Sequence, residues 1–234
     1  MADAHLAAKR PADEEAFLAF LDAMPSLGDS LLLAGDIYDF WFTYKRLIPR
    51  DCIRVTARLV ELARHLPVWM IGGNHDRWGD TFWGRETGIQ FDRRELHFPI
   101  GRHPVIAIHG DGIHEERPSA GALNRILDRP AVIAGFDLLP PIVGFTAARR
   151  LGHDPAFASN HPDVVEQAVR RQAEWAARRL RDEASGAVLV MGHTHRPALH
   201  EVDGDRWYVN PGAWLAERRF AIIDDSAVRL ESFG

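Results

Sequence analysis

Val68-Trp69-Met70-Ile71-Gly72-Gly73-Asn74-His75-Asp76 sets the pattern for the whole chain. Four apolar residues in a row between turn signals suit a strand buried on both faces of a parallel sheet. Two glycines halt the strand, and side chains able to bind a metal or move a proton follow at once. The arrangement recurs: Leu31 to Ala34 leads into Gly35-Asp36-Ile37-Tyr38-Asp39, Val105 to Ile108 into His109-Gly110-Asp111, and Ala187 to Met191 into Gly192-His193-Thr194-His195. A fifth cluster, Asp3-Ala4-His5, has only Met1 and Ala2 before it. Open α/β sheets place their sites beyond the carboxyl ends of their strands. The expectation is therefore an α/β protein whose chemistry collects at those ends.

Helical segments alternate with these strands. Asp13 to Met24 has acidic residues in its first turn and apolar Phe17, Leu18, Phe20, Leu21 and Met24, which predicts an amphipathic helix stopped by Pro25. Asp51 to His65 shows helical spacing again, with Asp51 as its cap. From Trp207 the chain reads as short strands, Trp207 to Val209, Phe220 to Ile223 and Ala227 to Leu230. No repeat or low-complexity segment is visible.

Composition narrows the function classes. The chain has 234 residues, 46% of them hydrophobic, enough for one domain with a core and an insertion. A formal net charge of −5 argues against broad nucleic-acid affinity. The single cysteine, Cys52, reads as a buried helix residue and cannot form an internal disulfide, which suits a reducing compartment. No basic segment followed by an apolar run opens the sequence. The longest apolar stretch, Ala131 to Ala148, is too short and too broken by Asp137 and Pro140-Pro141 to span a membrane. A cytoplasmic protein is expected.

Each cluster also has an ordinary reading. An Asp after a strand and a glycine is often a turn or a helix cap, and Gly-Asn-His-Asp makes a serviceable turn. Gly-His-Thr-His is harder to dismiss, because alternate residues of an extended segment put two imidazoles on one side. The conjunction decides. The best-placed side chains are two carboxylates, one amide oxygen and four imidazoles. That is the ligand set of a two-metal site, which makes hydroxide at neutral pH and clamps a phosphate oxygen. Mixed oxygen and nitrogen donors favour Mn²⁺, Fe²⁺, Co²⁺ or Zn²⁺ over Ca²⁺.

On these blocks the chain resembles the calcineurin-like metallophosphoesterases, which carry Asp-x-His, Gly-Asp-x-x-Asp, Gly-Asn-His-Asp/Glu, a mid-chain His and Gly-His-x-His in that order. The resemblance implies a two-sheet β-sandwich flanked by helices. It assigns Asp3, His5 and His195 to one metal, Asn74, His109 and His193 to the other, and Asp36 as the bridge. His75 would stabilise or protonate the departing oxygen and Asp76 would orient its imidazole, with helix capping as an alternative or additional role for Asp76. Asp39 and Asp111 are second-tier or turn residues in this reading. The metals would be Mn²⁺.

A narrower resemblance runs through Gly35 to Phe42, His109-Gly110-Asp111-Gly112, Gly192 to Pro197 and Gly212-Ala213-Trp214. These are similar to the UDP-2,3-diacylglucosamine diphosphatases of lipid A synthesis, and the likeness thins between Glu115 and Leu180. It implies a nucleotide-sugar lipid as substrate, cleaved to UMP and a diacylglucosamine 1-phosphate, and peripheral contact with the cytoplasmic face of the inner membrane. Some members have Arg where this chain has His75. The chain is expected to be one domain, 1–234, with a helical insertion at about 115–183. Within it, Ala131 to Leu151, with Arg149-Arg150 near its end, reads equally as an apolar lid for acyl chains or as a helical cap on the core. After Pro162, Val165, Ala168, Val169, Ala176 and Leu180 recur at helical spacing, with Gln172 interrupting the stripe. The lysines some relatives carry there are not evident. Two other functions stay open, a general phosphodiesterase or phosphatase for a soluble substrate, and a non-catalytic scaffold, which the full ligand set opposes. In the family Asp-x-His ends a full strand of about five residues, so the natural chain is expected to begin upstream of Met1.

Overall fold

The structure is a computed structural model that describes residues 1–6, 11–44, 47–50, 53–79, 82–113, 126–127, 129–152 and 162–234. Asp51, Cys52, His114, His153, His161 and the Arg149-Arg150 side chains, all singled out in the sequence, lie outside what it describes.

Two sheets pack face to face with helices outside. The first contains β1 (Leu31–Leu33), β2 (Val68–Ile71) and β3 (Gln90–Asp92), all parallel. The second has five strands in the order β4 (Leu96–Ile100), β5 (His103–Ala107), β6 (Val188–Val190), β8 (Arg206–Asn210) and β7 (Ala198–Val202). Its central pairings β5–β6 and β6–β8 are parallel and its edges antiparallel. A hairpin of β9 (Arg219–Ile223) and β10 (Val228–Ser232) follows.

Side-chain alternation explains the layering. Leu31, Leu33, Val68 and Met70 face α1 (Pro11–Leu27) and α2 (Ile53–Leu62), packing on Phe17, Phe20, Leu21, Val55 and Leu59. Their neighbours Leu32, Trp69 and Ile71 face the second sheet and meet Phe98, Val105, Ala107, Val188, Val190 and Val209. On the far side, Ile106, Leu189 and Tyr208 meet Ala176 and Leu180 of α5 (Pro162–Arg181). Strands buried on both faces are the ones the unbroken apolar runs predicted. The helix ends differ from expectation: α1 begins at Pro11 and runs through Pro25 to Leu27, and α2 ends at Leu62. Proline in a last turn forfeits only its own N–H bond, and the Gly28 N–H and Ser26 hydroxyl still reach the Met24 and Ala23 carbonyls.

The N-terminal residues complete the first sheet. Met1 and Asp3 exchange backbone hydrogen bonds with Leu32, Ala34 and Gly35, and Ala2 bridges Ala213 on the other side. Asp3 is therefore fully buried and held on both flanks.

In the insertion, α3 (Pro130–Asp137) and α4 (Pro141–Gly152) break at Leu138–Pro140. Val132, Ile133, Phe136 and Phe145 pack on Phe42, Tyr44 and Trp78, while Leu138 (87% exposed) and Ile142 (78%) face outward. The inner face extends the core, and Leu138 and Ile142 leave apolar surface exposed on the other. No helix among the described residues is long and apolar enough to cross a membrane. A short helix, α6 (Trp214–Glu217), carries the buried Trp214 against Phe17 and Phe20.

Candidate metal centre

The clusters flagged in the sequence meet beyond the C-terminal ends of β1, β2, β5 and β6. One group joins Asp3, His5 and His195, and a second joins Asp36, His109 and His193, with the donor atoms of each within 4.8 Å of one another. His5 Nε2 lies 3.1 Å from His195 Nε2, and His195 Nε2 lies 3.5 Å from Asp3 Oδ1. Asn74 Oδ1 lies 3.1 Å from His193 Nδ1, which places the amide beside the second group. Asp36 sits between them. Its Oδ1 accepts the His75 backbone N–H at 2.9 Å, and its Oδ2 faces His109 Nε2 at 3.3 Å and His5 Nε2 at 3.8 Å.

Backbone geometry sets these side chains. Among the described residues, seven other than glycine have positive φ, and five of them are Asp3 (53°), His5 (42°), Asp36 (52°), His193 (71°) and His195 (58°). A left-handed backbone at a residue with a side chain costs of order 1–3 kcal/mol and gathers at functional sites. The loops are held against that cost by long-range bonds. Both Asp3 oxygens accept the His193 N–H at 3.1 Å. Asp76 accepts four backbone amides, those of Asp36, Gly73, Ile37 and Tyr38, at 2.7–3.3 Å. Gly73 is required by close approach, since any Cβ there would run into the Asp36 carboxylate.

Asp76 therefore does something other than orient the His75 ring. Its carboxylate ties the loop that carries Asp36 to Gly73 of its own loop, and the His75 imidazole is fixed by donating from Nδ1 to the Asp39 carbonyl at 2.7 Å. His109 is oriented in the same way, its Nδ1–H donating to the Ala34 carbonyl at 2.9 Å and turning Nε2 toward Asp36. Asp39 also stands near His5 and His75, within one donor group. Asp111 is an ion-pair partner of Arg77.

The electrostatics suit a divalent cation. Asp3, Asp36 and Asp76 are buried together, and among the described residues imidazoles, not lysines or arginines, face the first two. Burial pushes Asp3 up to about 8, and burial with the nearby Asp36 charge pushes Asp76 up to about 6. Burial lowers His5 and His195 to about 4, so both are neutral lone-pair donors at pH 7. Burial opposes ionisation of Asp36 and of His109. The surrounding imidazoles nevertheless hold Asp36 well below the usual carboxylate range, and Asp36 with Asp3 and Asp111 raises His109 to about 10. Clustered carboxylates and imidazoles, His5 and His195 neutral among them, with no lysine or arginine among the described residues facing Asp3 or Asp36, make up a donor set suited to divalent ions.

Residues 1–197 match the calcineurin-like phosphoesterase family. The chain belongs to that family. Calcineurin-like phosphoesterases use a dinuclear divalent metal centre, and the two donor groups here are its candidates. Among curated relatives, the UDP-2,3-diacylglucosamine hydrolase of Klebsiella pneumoniae is 26% identical, over 100% of this chain and 97% of its own length. The enzyme of the same name from Salmonella paratyphi B is 28% identical over 100% and 97%. Among solved structures, the phosphoesterase Yfce from E. coli aligns with 97% of this chain and 89% of its own at 15% identity, with a TM-score of 0.47.

This phosphoesterase also has site-building residues that the sequence reading passed over. Tyr208 and the last residue of β8, Asn210, both bond to Gln172 of α5, and Gln172 and Asn210 bond to Thr194 between the two imidazoles of Gly-His-Thr-His. Asn210-Pro211-Gly212 after an apolar strand repeats the strand-then-polar pattern, which was the available signal.

Proposed function

We propose that this chain hydrolyses the pyrophosphate bond of UDP-2,3-diacylglucosamine, releasing UMP and 2,3-diacylglucosamine 1-phosphate, with two Mn²⁺ ions as cofactor. The observation that carries the hydrolytic part is the meeting of both donor groups at Asp36 Oδ2. Asp3, His5 and His195 would hold one ion, Asn74, His109 and His193 the other, and Asp36 would share its carboxylate between them. Bound there, two divalent ions supply an activated water and neutralise charge gathering on the phosphate oxygens.

The chain's own residues would do the rest. His75, whose Nδ1–H is committed to the Asp39 carbonyl, can exchange a proton only at Nε2, and that atom serves the leaving phosphate oxygen. Asp76 holds the Gly35–Tyr38 loop, so that Asp36 keeps its place when substrate binds. Support for the lipid substrate comes from the full-length likeness to relatives of that name and from the apolar outer face of α3 and α4. Phe40, next to Asp39, packs its ring 5.8 Å from that of Phe145 on the inner face of α4, which ties that helix to the site. Acyl chains would lie along it, and the face would meet the inner leaflet from the cytoplasm without crossing it.

Incubating the Mn²⁺-loaded protein with the diacylated sugar nucleotide, and separately with a soluble aryl phosphodiester, tests the assignment. UMP release from the first with little turnover of the second is the expected result. Rapid turnover of the soluble diester alone would replace this reading with a general phosphodiesterase.

A further inference from the structure

We infer that Gln172 is the positioning residue of this site, a buried amide on α5 that locks the loop carrying His193 and His195 into its metal-binding shape. The inference rests on the two-metal reading and adds to it a residue far from Gly-His-Thr-His in sequence.

Gln172 lies on the apolar stripe of α5 with Val165, Ala168, Ala176 and Leu180, yet it is fully buried. A polar side chain in such a place must find partners or destabilise the fold. Its Nε2 donates to the Gly192 carbonyl at 3.0 Å, and its Oε1 receives the Thr194 hydroxyl at 3.1 Å. One side chain thus grips the residues on either side of His193. The Tyr208 hydroxyl at 2.9 Å and Asn210 Nδ2 at 3.2 Å reach the same oxygen. Asn210 Nδ2 in turn reaches the Gly192 carbonyl at 2.9 Å and Thr194 Oγ1 at 3.0 Å. Gly110, directly after His109 and at φ 111°, leaves room for Gln172, where any Cβ would strike its Nε2.

The network has a specific task. His193 and His195 both sit in the left-handed region, and the hydroxyl of Thr194 between them bonds to this hub. Fixing Thr194 and the Gly192 carbonyl sets which way the flanking imidazoles project. Groups that orient metal ligands typically alter metal affinity about 10–100-fold when removed.

The test measures metal binding apart from turnover. Mn²⁺ affinity and stoichiometry, by electron paramagnetic resonance titration, and apo-protein Tm are compared for the full chain and for Gln172→Met, Thr194→Val and Leu180→Ala. Leu180 lies on the same helix and has no group that can join the hub's hydrogen bonds, so its variant reports general loosening. Gln172→Met should bind Mn²⁺ about 10–100-fold more weakly, Thr194→Val should shift in the same direction, and Leu180→Ala should lose Tm with affinity unchanged. Thr194→Val keeps the packing volume and carries the test if Gln172→Met does not fold. If the unvaried chain binds two ions and the hub variants lose Tm but bind them equally well, the inference is overturned while the metal centre stands. If the unvaried chain takes up no Mn²⁺, the metal centre falls and this inference with it.

Discussion

His75 and Asp76 are neighbours in the chain and face different problems. The imidazole is held by one carbonyl and faces the cluster, with its ring 4.8 Å from that of His5; the carboxylate is fully buried behind the loop. His75→Ala should keep both metals and lose rate by roughly 10²–10⁴-fold, as for removal of a general acid; equal rates in single-turnover assays would remove it from the chemistry. Asp76→Asn leaves one amide oxygen where two carboxylate oxygens served four backbone donors. It should cost about 1–3 kcal/mol of stability, read from urea denaturation, by stranding buried N–H groups. A pH effect belongs to this scale as well. In the metal-free protein Asp3, at about 8, and His109, at about 10, carry protons at pH 7 that a bound ion must displace. Metal affinity should therefore rise with pH through neutrality. Calorimetry in buffers of differing ionisation enthalpy should register proton release, and a buffer-independent heat would contradict it. The five blocks named these residues, but the direction of each side chain was not readable. Apart from the Gly73 amide, the bonds that fix Asp76 come from Asp36, Ile37 and Tyr38, far away in sequence, and nothing local records them.

Among the elements, the most legible were the ones buried on both sides. Leu31 to Leu33, Val68 to Ile71 and Val188 to Val190 are continuous apolar runs because each has a layer above and below. Three strands escaped notice for the opposite reason. β3 has one apolar residue among Gln90, Phe91 and Asp92, and β4 and β7 are edges of the five-stranded sheet. Pro99, on the edge strand β4, is where a sheet can tolerate proline. Likewise Gln172 read as a gap in a stripe, when a buried amide on an apolar face signals a partner network. The insertion helices make a prediction of their own. Leu138→Glu with Ile142→Glu changes exposed positions and should leave folding intact. Turnover of the diacylated substrate should fall while turnover of a soluble diester stays the same, and a uniform loss on both would remove the acyl-binding role from this face.

For the molecule as a whole, the sandwich brings four strand ends and the N-terminal segment to one point, and their loops are strained and their carboxylates buried. Such a centre is costly without its ions, so ligand binding and stability are linked. With both ions a hundredfold above their dissociation constants, chelation should lower Tm by roughly 10–20 °C, and a melting curve unmoved by EDTA would argue that no structural cation had been present. The most direct measurement is anomalous diffraction from Mn²⁺-soaked crystals of the chain. Two peaks about 3.5–4 Å apart, with the Asp36 carboxylate between them, Asp3, His5 and His195 around one and Asn74, His109 and His193 around the other, are the predicted result. A single peak, or peaks away from His193 and His195, would contradict the account.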